Sequence, residues 1–252
     1  MPAEPSATAW RRRDPSPDGT FWATVETPAH PSVREHNPAA RRWRDLLVDP
    51  DLAGLVPGRA RPSAITFEYA DGRKPWTLPL PDVLASALAW HPRRPLVAGL
   101  AVRDRRAHVW IADLAARTVT PYAGLRAAVS FTGYGAPPVA WCGDDRLALL
   151  VPAGRDPEPA VPDGTPIVFE AEGPGHVTFD EPPSELEHLA GAHLAITGLR
   201  MGAAPKTITP PLLVRSLEPE QPDGGTLRLS IGRHDEDANG LRWTDVLVNS
   251  GI

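Results

Sequence analysis

From residue 61 onward, apolar residues come in short runs separated by clusters of Pro, Asp and Gly. Ala64 to Tyr69 alternates with period two and ends at Asp71-Gly72, a hairpin signal. Ala87 to Trp90 opens the best-defined unit. His91-Pro92 turns the chain, Pro95 to Val102 reads as a strand, Arg103 to Arg106 turns, and strands follow at His108 to Leu114 and Arg117 to Tyr122. Four short strands within about 40 residues make one propeller-blade-sized unit. Val139 to Trp141 repeats the opening, and Leu147 to Val151 and Thr165 to Glu170 continue as strands. A third, partial copy is expected from His193 to Leu199 through Leu212 to Leu217, the turn Gln221 to Gly225, and Thr226 to Ile231. Helical crossovers between the strands are missing, which argues against a parallel α/β sheet. The expected fold is mainly β, a propeller-like array of short antiparallel blades with one or two short helices.

The N-terminal 60 residues read differently. Ser16-Pro17-Asp18-Gly19 is a turn, and Phe21 to Glu26 alternates as a strand behind it. Asn37-Pro38 pairs an N-cap residue with proline at the first helical position. A helix is therefore predicted from Pro38 to Val48, with Trp43, Leu46 and Leu47 on one side, stopped by Asp49-Pro50. A second short helix is predicted at Ser184 to Leu189, inserted between strands. These patterns divide the chain into residues 1–60, irregular with a helix; 61–233, the blades; and 234–252, an acidic turn and a strand from Trp243 to Val248.

Composition narrows the function classes. The chain has 252 residues, 42% of them apolar, 31 prolines and a net charge of −5. That much proline suits strands and turns rather than long helices. The only basic run is Arg11-Arg12-Arg13, so nucleic acid is not an expected partner. Lysine is confined to Lys74 and Lys206, and abundant Ala, Pro, Gly and Arg suggests a GC-rich bacterial genome. Cys142 is the single cysteine and no internal disulfide is available, so a cytoplasmic location is expected. No apolar run reaches the roughly 18 residues of a membrane span.

The blade segments resemble the propeller of the prolyl oligopeptidase family of serine peptidases. Trp90-His91-Pro92 stands where such blades carry a Trp-Ser-Pro-Asp-Gly turn. His108-Val109-Trp110-Ile111-Ala112-Asp113-Leu114 looks like the family's recurrent Trp-x-x-Asp-Leu strand. Val151-Pro152-Ala153-Gly154-Arg155, the proline-rich link, Pro166 to Glu172, His193 to Leu199 and the Pro222-Asp223-Gly224 turn follow the order of bacterial, glutamyl-endopeptidase-like members. The resemblance covers roughly residues 60–233 and implies a domain that gates peptide access to a catalytic α/β-hydrolase domain. That domain carries a Gly-x-Ser-x-Gly elbow, and none of the ten serines here lies in such a context. No catalytic, cofactor-binding or metal residue is therefore assigned. The resemblance implies a truncated or split peptidase subunit whose partners would be a separate α/β-hydrolase chain, another copy of itself, or peptides. An independent protein- or peptide-binding scaffold is the alternative.

Other candidate chemistry is sparse. His91, His108, His188 and His193 lack the three or four converging ligands of a zinc site. Asp235, Asp237 and Asn239, with Gly240 at the sixth position, resemble the opening of a calcium loop, but Val246 stands where the twelfth-position glutamate belongs. A solvated acidic turn is the simpler reading. Trp90, Trp110 and Trp141 are expected in the core rather than on a ligand-stacking surface. Cys142 has no base beside it in sequence and reads as a structural thiol.

Overall fold

The computed structural model describes residues 8–28, 40–43, 46–55, 64–84, 88–132, 136–153, 169–172, 185–199, 205–221, 225–235 and 240–250. Four four-stranded sheets follow one another along the chain. Blade 1 comprises β1 (Thr8–Pro15), β2 (Phe21–Pro28), β6 (Ala64–Tyr69) and β7 (Trp76–Thr77). Between β2 and β6 the chain leaves to form a small sheet of β3 (Arg41–Trp43), β4 (Leu46–Asp49) and β5 (Gly54–Leu55). Blade 2 is β8 (Ala89–Trp90), β9 (Leu96–Arg103), β10 (Arg106–Asp113) and β11 (Thr118–Ala127). Blade 3 is β12 (Val139–Trp141), β13 (Arg146–Pro152), β15 (Ala192–Gly198) and β16 (Lys206–Thr207). Blade 4 is β17 (Leu213–Pro219), β18 (Thr226–Asp235) and β19 (Gly240–Asn249). Its fourth strand is β14 (Phe169–Glu172), which lies in sequence between β13 and β15 of blade 3 and pairs parallel with β19; among the described residues every other pairing within the sheets is antiparallel. Helix α1 (Glu185–Ala190) precedes β15.

Each strand pair has a local cause. In the β9–β10 turn, Asp104 and Arg105 both take positive φ, 49° and 62°. That is the twist of a two-residue I′ hairpin, and it sets the register from Arg103↔Arg106 to Leu96↔Asp113. Alternation then sorts the side chains. In β6, Ile65, Phe67 and Tyr69 are buried while Ala64, Thr66 and Glu68 face outward.

The blades stack face to face in chain order. Ala23, Val25, Ile65 and Phe67 of blade 1 meet Val97, Ala101, Trp110 and Ala112 of blade 2. Ala98, Leu100, Val109 and Ile111 meet Val139, Trp141, Leu147 and Leu149 of blade 3. Ala148, Leu150, Leu194 and Ile196 meet Leu217, Leu227, Leu229 and Ile231 of blade 4. The far side of blade 4, with Leu213, Leu241 and Trp243, is covered by Leu46, Val48 and Leu55 of the small sheet, Phe131, and Leu186 and Leu189 of α1. At the opposite end of the series, the outward face of blade 1 carries charged and polar side chains. Arg11–Glu26 and Arg13–Glu68 pair at 2.7 Å across its strands, and Thr24 Oγ1 donates to Glu68 at 3.2 Å. Sheets arranged in this way make a β-propeller.

Several expectations change. Where the stretch expected as a helix at 38–48 is described, it is strand: Arg41–Trp43 and Leu46–Asp49; residues 38, 39, 44 and 45 lie outside the described residues. The cap signal at Asn37-Pro38 is local, whereas alternate burial of Leu46 and Val48 against blade 4 leaves Leu47 41% exposed, which only a strand satisfies. The second helix forms, at Glu185–Ala190. The segments expected as one third copy belong to two blades, because β15 pairs with β13 and β17 with β18. Pairing also crosses the divisions at residues 60 and 233: β2 joins β6, and β18 joins β19.

Candidate functional site: an axial cup

The first strand of each blade, β1, β8, β12 and β17, lies innermost, and each is followed by a tight turn. One backbone bond recurs in all four. Ser16 N–H donates to Phe21 O (2.8 Å), His91 to Leu96 (2.9 Å), Cys142 to Arg146 (3.1 Å) and Glu220 to Thr226 (2.9 Å). The side chain at this position then finishes the turn in its own way. Ser16 Oγ accepts from Phe21 N and donates to Asp18 Oδ1 at 2.6 Å. Bonds from Ser16 and Thr20 hold the Asp18 carboxyl below the usual carboxylate range.

His91 does more. Its Nδ1 accepts the backbone N–H groups of Arg93 and Arg94 at 3.0 and 2.9 Å. The neutral ring therefore carries its proton on Nε2, which faces Asp144 O in the next blade at 3.2 Å. Burial, with help from the Arg94 charge, pushes its pKa below the ordinary histidine value. Arg93–Asp144 at 2.6 Å and Arg94–Asp145 at 3.0 Å add exposed ion pairs across the same junction. Such pairs contribute little individually; the buried imidazole, edge-on to Trp141 at 4.6 Å, is the stronger tie.

These turns ring a cavity of about 360 Å³ on the axis. Leu88, Val139, Trp90, Trp141 and Leu217 supply apolar wall. Trp141 is fixed by its Nε1–H bond to Ala89 O at 2.8 Å. Pro17, Pro92, Pro137 and Pro219 bring proline to the lining from the turns and approaches of all four blades. Proline has a fixed φ, so this mouth loses little backbone freedom when something binds. Glu218, Glu220 and Gln221 complete the lining.

The other end of the axis is closed. Residues 128–131 cross beneath the inner strands, with Ala128 N–H donating to Leu150 O and Phe131 N–H to Val214 O, both at 2.8 Å. Residues 52–55 lie against this crossing. Val129 N–H donates to Leu52 O, Ser130 N–H to Ala53 O and Leu55 N–H to Ser130 O, at 2.8–2.9 Å. Ser130, fully buried with φ +46°, also accepts Val214 N–H on its Oγ at 2.8 Å. Among the described residues, the axis thus holds a cup among the turns, with two backbone segments crossing the far end of the inner strands.

The residues considered from sequence distribute as follows. Trp110 and Trp141 are core, 1% and 3% exposed, while Trp90 is half-buried and lines the cup. Cys142 is buried and its thiol is pushed up to about 11, so it is not a thiolate at neutral pH. Burial also lowers the His108 pKa, and His193 Nδ1 meets Thr209 O at 2.8 Å. Among the described residues no hydrogen bond joins a serine to a histidine, and no three His, Cys, Asp or Glu side chains converge as metal ligands. The side chains of Asp235 and His188, and Asp237 and Asn239 altogether, lie outside what is described. No described helix is long and apolar enough to cross a membrane. The cup itself was missed in the sequence; its signal was the recurrence of proline beside the first hairpin of each blade.

No protein-family model matches the chain, and no curated protein matches it. Solved structures do. Acylaminoacyl peptidase from Pyrococcus horikoshii aligns over 97% of this chain at 15% identity and TM-score 0.52. The chain spans only 32% of that enzyme. This chain has a β-propeller fold. A putative TolB from Agrobacterium tumefaciens aligns over 96% of this propeller and 82% of its own length, at 9% identity and TM-score 0.42. The β-propeller domain of the Trilobed protease from Pyrococcus furiosus aligns over 96% and 70%, at 8% identity and TM-score 0.33. Identities this low speak for the fold alone.

Proposed function

We propose that this propeller is a binding module without chemistry of its own, and that its axial cup takes a peptide segment. The observation that carries this reading is the cup: a concave, largely apolar space with a proline-rich rim, lined among the described residues by all four blades. Its volume lies in the range of ligand sites. The test is calorimetric titration with a library of short blocked peptides, against the native protein and Gln221→Trp. Position 221 is exposed on the rim, so the bulky side chain obstructs the mouth while sparing the core. Binding that the variant abolishes supports the module; a library with no binder refutes it. Saturable labelling of one serine by a fluorophosphonate, lost on its replacement with alanine, refutes the absence of chemistry.

The second reading is a subunit that works with a separate α/β-hydrolase chain, favoured by the alignment with acylaminoacyl peptidase along nearly the whole propeller. Co-purification of such a chain with the tagged protein tests it. The floor weighs toward the first reading. A domain that gates passage along its axis needs an open path, and residues 52–55 and 128–131 cross it.

A further inference from the structure

The lining of the cup is one-sided in charge. Among the described residues, its only ionised ones are Glu218 and Glu220, both exposed at the rim. Arg228, across the β17–β18 pair, bonds Glu220 at 2.7 Å. That guanidinium is shared: Glu218 is the cross-strand partner of Arg228, and Asp245 stands diagonally across from it on β19. Three carboxylates around one guanidinium leave the rim negative, beside the half-buried ring of Trp90.

We infer that the cup selects a peptide segment carrying an arginine or lysine, whose aliphatic stem lies along the apolar wall and whose charged head stays at the Glu218–Glu220 rim. This rests on the reading of the cup as a peptide site and names the class of segment it takes. Long cationic side chains suit such a space, since they bury their methylenes while the head remains in water. An anionic or neutral polar residue of similar length gains no charge complement at this rim, and an anion meets repulsion. A tryptophan face near the mouth adds attraction for a cation and none for a carboxylate.

The test uses blocked pentapeptides Ala-Leu-X-Leu-Ala, with X arginine, lysine, glutamine or glutamate, titrated calorimetrically against the full chain. Exposed charge pairs are individually weak, so two carboxylates should give a preference of roughly threefold to tenfold for arginine and lysine over glutamine. Glutamate should bind weakest, and the preference should shrink in high salt. Glu218→Gln with Glu220→Gln should bring the arginine and glutamine peptides within about twofold of each other, and Glu218→Lys with Glu220→Lys should favour glutamate. Near-ultraviolet circular dichroism checks that these surface variants fold; the native series decides the matter even if one does not. Equal binding of the arginine and glutamine peptides, still blocked by Gln221→Trp, overturns the charge selection and leaves the cup as a peptide site. No binding by any member overturns both.

Discussion

Gly54→Ala should be among the most damaging single-methyl additions in this protein. A Cβ at residue 54 would lie 2.9 Å from Ser130 Cα and closer still to its N and O, all backbone atoms with no side chain to rotate aside. The methyl must push the 52–55 segment off the 128–131 crossing. Overpacking of this kind costs about 1–3 kcal/mol. It also strains Ser130 N–H to Ala53 O and Leu55 N–H to Ser130 O, each worth about 0.5–1.5 kcal/mol. A total of roughly 3–5 kcal/mol is expected, against a whole-domain stability of about 5–15 kcal/mol. For a domain of this size that is a fall in Tm of about 6–20 °C. Urea and thermal unfolding followed by far-ultraviolet circular dichroism measure it. Gly19→Ala is the control: φ is +69° there but nothing lies within 4 Å, so only the left-handed backbone cost of about 1–2 kcal/mol applies. If Gly54→Ala costs no more than Gly19→Ala, the floor is not packed as described.

Other consequences are accessible to simple measurements. Burial depresses the His91 pKa in the folded state, so the unfolded chain takes up protons first as pH falls. Its contribution to stability is full above the unfolded value of about 6.5 and is lost as pH drops toward the folded one. Tm should therefore decline from pH 7.5 to pH 5 less steeply in His91→Gln than in the native protein; an equal or steeper decline refutes the assignment. His108, also depressed by burial, acts in the same direction and remains in both proteins. Cys142, with its thiol pushed up to about 11, should not react with a disulfide reagent at pH 8 until urea unfolds the chain. Rapid reaction of the folded protein would contradict its burial.

Blade 2 was legible almost strand for strand. Its turns are local, its strands alternate, and its hairpins close within a few residues, so sequence neighbours are also partners. Blade 1 was half legible. Phe21 to Glu26 showed its alternation, but Arg11-Arg12-Arg13 looked like an isolated basic run. In the fold Arg11 and Arg13 face Glu26 and Glu68, while Arg12 on the other face bonds Asp14. That sorting depends on β6, more than 50 residues away. The described part of the helix expected at 38–48 is strand for the same reason: Leu46 and Val48 answer to Leu213 and Trp243, not to their own caps. Trp141 was recognisable as core by its spacing from Trp90. The proline rim was visible only once the four first hairpins were known to meet on one axis. The floor left no local signal, because Gly54, Ser130 and Val214 come from three distant parts of the chain.

That distance has a consequence during synthesis. The apolar side of the small sheet, Leu46, Val48 and Leu55, leaves the ribosome long before the surface it covers on blade 4. From Val48 to Trp243 is 195 residues of chain (243 − 48). At roughly 5–20 residues per second, the nascent protein carries that strand pair uncovered for about 10–40 s. Blades 1 to 3 can assemble in the meantime from hairpins that close early. The last blade to emerge thus settles the small sheet made from the first quarter of the chain, and translation speed from residue 48 to residue 243 governs how long a sticky surface is offered to other nascent chains.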